Sequence, residues 1–408
     1  MVAPSDVGWR PWIQVLGGWL LMFNSWGMLH SFGAFQDYYV QGGLIDQSSP
    51  YKIAWIGSLQ AFLLLGGGAL TGKIVDHGYF RWMISYGTLM AIFGMLAASF
   101  CKQYVYIIIT QGLWVGLGMS LFLVPSVAIP RQWFEKRRGL ALGIVTTGSS
   151  SAGLVYPIVV YDLVPRIGFP WTLRIVTGIQ LVTLLAANLI MRPRLKPNPV
   201  REVPLFDYPA LRNPQFAFYV AGMFATFLGY FMFFNNIVAW TLSEQLLSAN
   251  LAIYLLPMAN AGSIVGRIST NFMADHWGPL NVQVPAIALA GATVLAWICV
   301  HSVVPTIILA VLYGFFSGAL VSLPNTAVAG MTQNIHMFGA RIGVVFLAMG
   351  SGSLIGAPTT GALLQGIAGQ PGSYTNARLW SGLTMLVGSA LVFISRMFAT
   401  KWKWRAKA

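Results

Sequence analysis

Leu121-Phe-Leu-Val-Pro125-Ser126 and Leu320-Val-Ser-Leu-Pro324-Asn325 set a proline and a polar residue at the same point of two long apolar runs, 199 positions apart. Gly72-x-x-x-Asp76-His-Gly78 is answered at the same offset by Asn271-x-x-x-Asp275-His-Trp-Gly278. Met22-Phe-Asn24-Ser25 resembles Phe233-Phe-Asn235-Asn236, and Arg174 parallels Arg378. Four matches in one order point to a duplicated half. Between the copies, Arg192-Pro-Arg-Leu-Lys-Pro-Asn-Pro through Asn213-Pro214 replaces the apolar pattern with proline and charge. The expected organisation is a first half at 1–191, a linker at 192–213 and a second half at 214–408.

Each half holds six apolar segments of about 20 residues, the length a helix needs to cross the hydrocarbon core. They fall near 12–36, 53–75, 82–100, 104–129, 140–161, 171–191, 215–241, 250–274, 282–300, 305–330, 341–366 and 377–398. Runs such as Ile179 to Ile190 do not alternate with period two, as the strands of a β-barrel would, so helices are expected. Hydrophobic residues make up 56% of the chain and charged ones 8%, with mean hydropathy +0.69. That leaves too little polar surface for a soluble protein of 408 residues. The fold class expected is all-α and integral to a membrane, with twelve transmembrane helices in two six-helix bundles.

Charge orients the bundle. With the N-terminus in the cytoplasm, 18 of the 24 Lys and Arg fall on the inner side, as the positive-inside rule requires. The net charge of +14 is spread over short loops beside the spans and forms no stripe, so it suits anionic lipid headgroups and not nucleic acid. Lys401-Trp402-Lys403-Trp404-Arg405 reads the same way, cations for the leaflet and indoles for its interface. Cys101 and Cys299 lie near outer ends of corresponding segments and are expected to be free thiols.

Two six-helix halves in parallel repeat resemble the major facilitator superfamily, whose halves rock about a midplane site. Gly72-Lys-Ile-Val-Asp76-His-Gly78-Tyr-Phe-Arg81 is similar to its signature between spans two and three, Gly-x3-Asp-x2-Gly-x-Arg, with the second glycine one place early. The resemblance implies that Gly72, Asp76 and Arg81 serve a cytoplasmic gate, with Lys136, Arg137, Arg138 and Asp275 beside them. Trp133-Phe-Glu-Lys136-Arg137-Arg138-Gly139-Leu-Ala-Leu-Gly143 resembles more narrowly the fifth-span signature of the monocarboxylate porter family. Asp6-x-Gly8-Trp9 is a looser match to its first-span motif, and Phe338-Gly-Ala-Arg341 is similar to its fungal branch.

An ionisable group inside a span is costly and marks a functional candidate. Arg267 is one, eight residues before Asp275 and so about 12 Å from the inner end of span eight. The family resemblance implies a clamp for a substrate carboxylate there; pairing with Asp275 or with gate carbonyls is the alternative. The family's aspartate four residues earlier is replaced by Ser263, which cannot titrate near neutral pH. Transport is therefore either uncoupled from protons or coupled through His30, whose other reading is a neutral, hydrogen-bonded core histidine. Asn24, Asn235, Asn236, Asn260 and Asn325 are placed around the cavity, with Gln60 and Gln111, since amides both donate and accept; interhelical glue is the alternative for each. Asp37, Asp46, Asp162 and Glu244 fall at outer helix ends and read as solvated loop charges.

Other classes fare worse. Gly67-x4-Gly72-Lys73 imitates a phosphate loop but ends in Ile74 where Ser or Thr is needed. Five scattered histidines give no catalytic or metal-ligating motif, so neither an enzyme nor a cofactor is expected. A nutrient sensor on the same fold would be expected to carry long cytoplasmic extensions. The function expected is a secondary or facilitative transporter of a small organic solute, a monocarboxylate or related anion. Efflux of a fungal secondary metabolite is the alternative. The expected partners are that substrate, the lipid bilayer and, if coupled, a proton; a monomer in the plasma membrane is expected, with an organelle membrane as the alternative.

Overall fold

The computed structural model describes residues 8–43, 49–134, 137–194, 206–332, 337–365 and 373–403. Asp6, Asp46, Lys136, most of the linker (195–205) and residues 404–408 lie outside the described residues, as do the side chains of Asp76 and Arg138 and the surroundings of Gly72. "Inner" below denotes the end that carries the basic loops.

The described chain is helical and crosses a bilayer's thickness twelve times. Span one is assembled from Trp9–Asn24, Trp26–His30 and Phe32–Tyr38, followed by a π-helical turn at Tyr39–Gly43. Spans two to six are Pro50–Asp76, Phe80–Ala98, Tyr104–Arg131, Arg138–Ile167 and Phe169–Ile190. Spans seven to twelve are Pro214–Ser243, Leu255–Trp277, Pro279–Cys299, Val303–Met331, Phe338–Gln365 and Tyr374–Ala399. Among the described residues nine helices are long and apolar enough to span a membrane by themselves. Of the other three, span two includes side chains outside the described residues, and span one falls short because it is broken. Span eight falls short because Asn260, Ser263, Arg267, Ser269, Thr270 and Asn271 crowd into 23 residues, so this helix must turn a polar face inward.

The duplicated prolines act alike but not identically. Pro125 stays within one helix, while Pro324 opens a new one, Pro324–Met331, after a break at Leu323. A proline that lacks an N–H is tolerated at a first helical turn for that reason.

Span two packs along the length of span eleven, and span five along span eight, so two long seams join the repeats. Spans eight and ten meet more closely still. A Cβ built on Gly266 would lie 2.0 Å from Phe315 O, and one on Gly314 would lie 1.8 Å from Ala259 O. Backbones this close require glycine, the small-residue packing that replaces the hydrophobic effect between helices in lipid.

At the inner end the chain leaving span six is tied down: Arg192 N donates to Gln14 Oε1 at 2.7 Å, and Trp133 Nε1 to Arg192 O at 3.2 Å. The chain re-enters through Tyr208–Arg212, where Asp207 accepts from Arg341 Nε of span eleven at 2.9 Å.

Candidate functional site

Two serines shape span one. Ser25 Oγ and Ser31 Oγ donate back to Leu21 O and Gly27 O, each at 2.8 Å. Such bonds to the preceding turn bend helices, and Ser25 leaves the helical region altogether (φ −108°, ψ −90°). The short helix Trp26–His30 between the bends delivers His30, wholly buried, to the interface with the second half.

There His30 Nδ1 lies 3.0 Å from Asn260 Oδ1 and Nε2 3.3 Å from Tyr230 Oη. Asn260 Nδ2 donates to Gly153 O at 3.1 Å and Leu256 O at 3.0 Å, so the amide oxygen must accept. Hydrogen-bond bookkeeping thus places a proton on Nδ1, and Nε2 shares a hydrogen bond with the Tyr230 hydroxyl. The ring stacks on Phe234 with centroids 4.9 Å apart and meets Trp26 edge-on. Both ring nitrogens are thus within hydrogen-bond distance of a partner, the arrangement of a hydrogen-bonded core histidine. In a His30→Gln variant the amide can supply one donor and one acceptor, so the protein is expected to fold and to keep the wild-type dependence of flux on pH. Loss of that dependence would assign a coupled proton to His30.

Arg267 sits about two turns further along span eight and is also wholly buried. Its Nη1 donates to Thr146 O at 2.6 Å and to Ser149 Oγ of span five, and its Nε to Ser263 Oγ at 3.3 Å. Ser263 in turn accepts from Ser150 Oγ at 3.1 Å. Nη2 has no acceptor. No ion pair joins Arg267 to Asp275 or to any other carboxylate among the described residues, where the ion pairs are Arg166–Asp162 and Arg341–Asp207. The guanidinium is thus buried with an idle Nη2 and no counter-charge within ion-pair distance among the described residues.

The structure therefore brings together His30, Asn260 and Arg267, and adds Tyr230, Ser149, Ser150 and Ser263. Sequence reasoning missed the serines as contacts. Ser149-Ser150-Ser151 within an otherwise apolar span was the available signal. Asn235 and Asn236 lie nearer the outer end. Gln36 Nε2 reaches Asn235 O and Asn236 Oδ1 there, each at 3.4 Å, beside a pocket of about 10 Å³, room for about one water. Asn24 is engaged within the first half instead, with Thr183 Oγ1 at 2.9 Å and Tyr156 Oη at 3.2 Å. Asn325 is half-buried in Pro324–Met331, apart from the network. Gln60 Nε2 donates to Gln111 O and Tyr39 Oη to Gln111 Oε1, joining spans one, two and four.

At the inner end Asp275 stands against the start of span five, where a Cβ on Gly139 would lie 2.8 Å from its Oδ2. Arg131 of span four lies over the Phe338 ring of span eleven at 5.4 Å. Arg81 and Arg137 are exposed. At the outer end one expectation fails: Asp37 is no solvated loop charge but is 6% exposed and accepts from Tyr161 Oη. Span one continues past it into the π-helical turn, and that carries the carboxylate inside. Asp162 and Glu244 are exposed as expected.

The family model described as Major Facilitator Superfamily matches residues 12–304. The MFS-type transporter dbaD of Emericella nidulans is 37% identical over 94% of this chain and 85% of that protein. The Fujikurins efflux protein of Gibberella fujikuroi is 36% identical over 98% of this chain and 85% of its own length. Among solved structures, a bacterial homologue of the human lysosomal transporter Spinster superposes with a TM-score of 0.66. The superposition covers 99% of this chain and 100% of that one at 16% identity, a likeness of fold.

Proposed function

Because the chain belongs to the major facilitator superfamily and is a multi-pass membrane transporter, we propose that it exports a small organic anion, an acidic fungal secondary metabolite, by alternating access. The observation that carries this reading is Arg267, buried between the halves with Nη2 unfilled and no carboxylate within ion-pair distance among the described residues. An anionic group of the substrate, a carboxylate or phenolate, supplies the missing acceptor. The rings of Trp26, Tyr230 and Phe234 around His30 suit an aromatic or conjugated body attached to that group.

Export is favoured by what relatives are called: one 36% identical along nearly the whole chain is named for fujikurin efflux. Monocarboxylate transport is the second reading, supported by Trp133-Phe-Glu-Lys136-Arg137-Arg138-Gly139. The same arginine serves either substrate. Inner and outer gates follow in the proposal from the two ends described above: Asp275 against Gly139 at one, Gln36 against Asn235 and Asn236 at the other.

Inside-out vesicles holding the protein should concentrate acidic aromatic polyketides above protein-free controls. They should ignore the methyl esters of the same compounds. Equal uptake of acid and ester would remove the anion requirement, whereas uptake of lactate alone would select the monocarboxylate reading. No net flux of any panel member would leave a sensor on this fold.

A further inference from the structure

Two small voids lie in the outer part of the seam, where spans one and two of the first half face spans seven and eleven of the second. Each holds about 10 Å³, room for about one water, and Asn235 and Ala357 line both. Backbones close in around them: a Cβ on Gly33 would lie 2.3 Å from Phe234 O. The polar groups that line these voids are short of hydrogens. Gln36 Nε2 has two N–H bonds, and their acceptors are Asn235 O and Asn236 Oδ1, each at 3.4 Å. Asn236 Nδ2 donates to Met232 O at 2.9 Å, which fixes its oxygen as an acceptor. The hydroxyls nearby donate to their own helices, Thr360 Oγ1 to Gly356 O at 3.0 Å and Ser58 Oγ to Trp55 O at 3.3 Å. Gln36 Oε1 and Asn235 Oδ1 are left buried with no donor, on side chains only 7% and 6% exposed.

A buried acceptor without a donor is costly. A carboxylate here would only add acceptors, and an ammonium would meet no opposite charge, since no charged side chain lines either void among the described residues. A hydroxyl brings the missing hydrogen in about the volume of one water. We propose that the two voids form a hydroxyl-binding subsite for the exported molecule, with Gln36 Oε1 and Asn235 Oδ1 as the acceptors they offer. Arg267 presents the converse, a donor without an acceptor. Arg267 lies seven residues inward of Asn260, about 10 Å, and Gln36 six residues outward of His30, about 9 Å. His30 and Asn260 touch, so the two sites stand on the order of 20 Å apart along the seam, with the rings of Trp26, Tyr230 and Phe234 between them. A substrate shorter than that meets them in turn, its acid held first and its hydroxyl on the way out. The exported class narrows to acids that carry a hydroxyl on the ring system, and the inference rests on the export reading for the acid group alone.

The test uses neutral probes, to which the charge of Arg267 is indifferent: 2-naphthol, 2-methylnaphthalene, which replaces the hydroxyl by a group of similar size, and 2-methoxynaphthalene, which can only accept. Binding to the full-length protein in detergent is followed by calorimetry, and each affinity is divided by that of the double variant Gln36→Met, Asn235→Leu, which cancels partition into the micelle. The wild type should bind 2-naphthol about tenfold more tightly than the variant does, the worth of one hydrogen bond. The methyl and methoxy compounds should bind both proteins alike. Equal affinity of the two proteins for 2-naphthol overturns the proposal and leaves the voids to water only. A loss in the variant that is as large for 2-methylnaphthalene also overturns it, since shape and not the hydroxyl would then be read. So does failure of the wild type to bind 2-naphthol at all. If the double variant does not fold, the single variants decide, and an unchanged affinity for 2-naphthol in both overturns the subsite. No acid is involved, so failure here leaves the export reading standing, and loss of the acid requirement in flux leaves this result untouched.

Discussion

Arg267→Met is expected to abolish transport and to raise the thermal stability of the substrate-free protein. The two effects share one cause. In this structure the guanidinium has hydroxyls and one carbonyl for company, and its Nη2 has nothing. Its removal creates little debt elsewhere, because Ser149 Oγ already donates to Thr146 O and Ser150 Oγ to Ser263 Oγ. Replacing even a buried ion pair by well-packed apolar residues of similar volume is neutral or stabilising by about 1–4 kcal/mol, and Arg267 has no paired carboxylate among the described residues to lose. Arg267→Lys keeps the charge but loses the fork. It is expected to lower flux on the order of 10- to 100-fold, the value of one or two charge-assisted hydrogen bonds. The measurements are melting temperature in detergent and flux normalised to protein in the membrane. Were Arg267 instead a structural strut, the methionine variant would melt earlier than wild type, and the lysine variant would transport normally.

Much of this was legible in the sequence, and what was not has physical reasons. Twelve crossings could be read because a helix in lipid must be apolar for about 20 residues whatever surrounds it. Arg267 could be read because charge inside a span is rare. Its partners could not. Serines in transmembrane helices usually bond their own preceding turn, and Ser263 looked like the loss of an acid when it is an acceptor for Arg267 Nε. The pairings of Asn24 and Asn260 depend on helix rotation, which hydropathy does not encode. Asn24 turns toward Thr183 and Tyr156, Asn260 toward His30. Asp37 was misread because apolarity ends before the helix does: the segment reads as finished near residue 36, yet Tyr39–Gly43 continues it. The fit of spans eight and ten was also within reach, since Gly262-x-x-x-Gly266 and Gly314-x-x-x-Gly318 place pairs of glycines one turn apart.

That fit yields the other large effect. Gly314→Ala is expected to destabilise the protein severely, although alanine is intrinsically the better helix former by about 1 kcal/mol. The added Cβ would stand 1.8 Å from Ala259 O, 2.6 Å from its carbonyl carbon and 2.9 Å from its Cα, all backbone atoms of the facing helix. No rotamer relieves such a contact, so spans eight and ten must part along their length. Separation undoes the neighbouring approaches as well, Gly262 to Val311 O and Gly266 to Phe315 O. Gly318 packs against Ser263 O and near Arg267 Cγ, so parting the helices also moves the arginine from its place between the halves. Overpacking of a core costs about 1–3 kcal/mol, and a backbone contact belongs at or above the upper end. That corresponds to on the order of 100-fold in the ratio of folded to unfolded protein. Gly178→Ala in span six is the matched control, because no atom lies within 4 Å of the added carbon. It should be neutral or slightly stabilising. The check is the monodisperse fraction and melting temperature of both variants in mild detergent. Equal stability would mean that spans eight and ten do not meet at these glycines, and the position of Arg267 would fall with them.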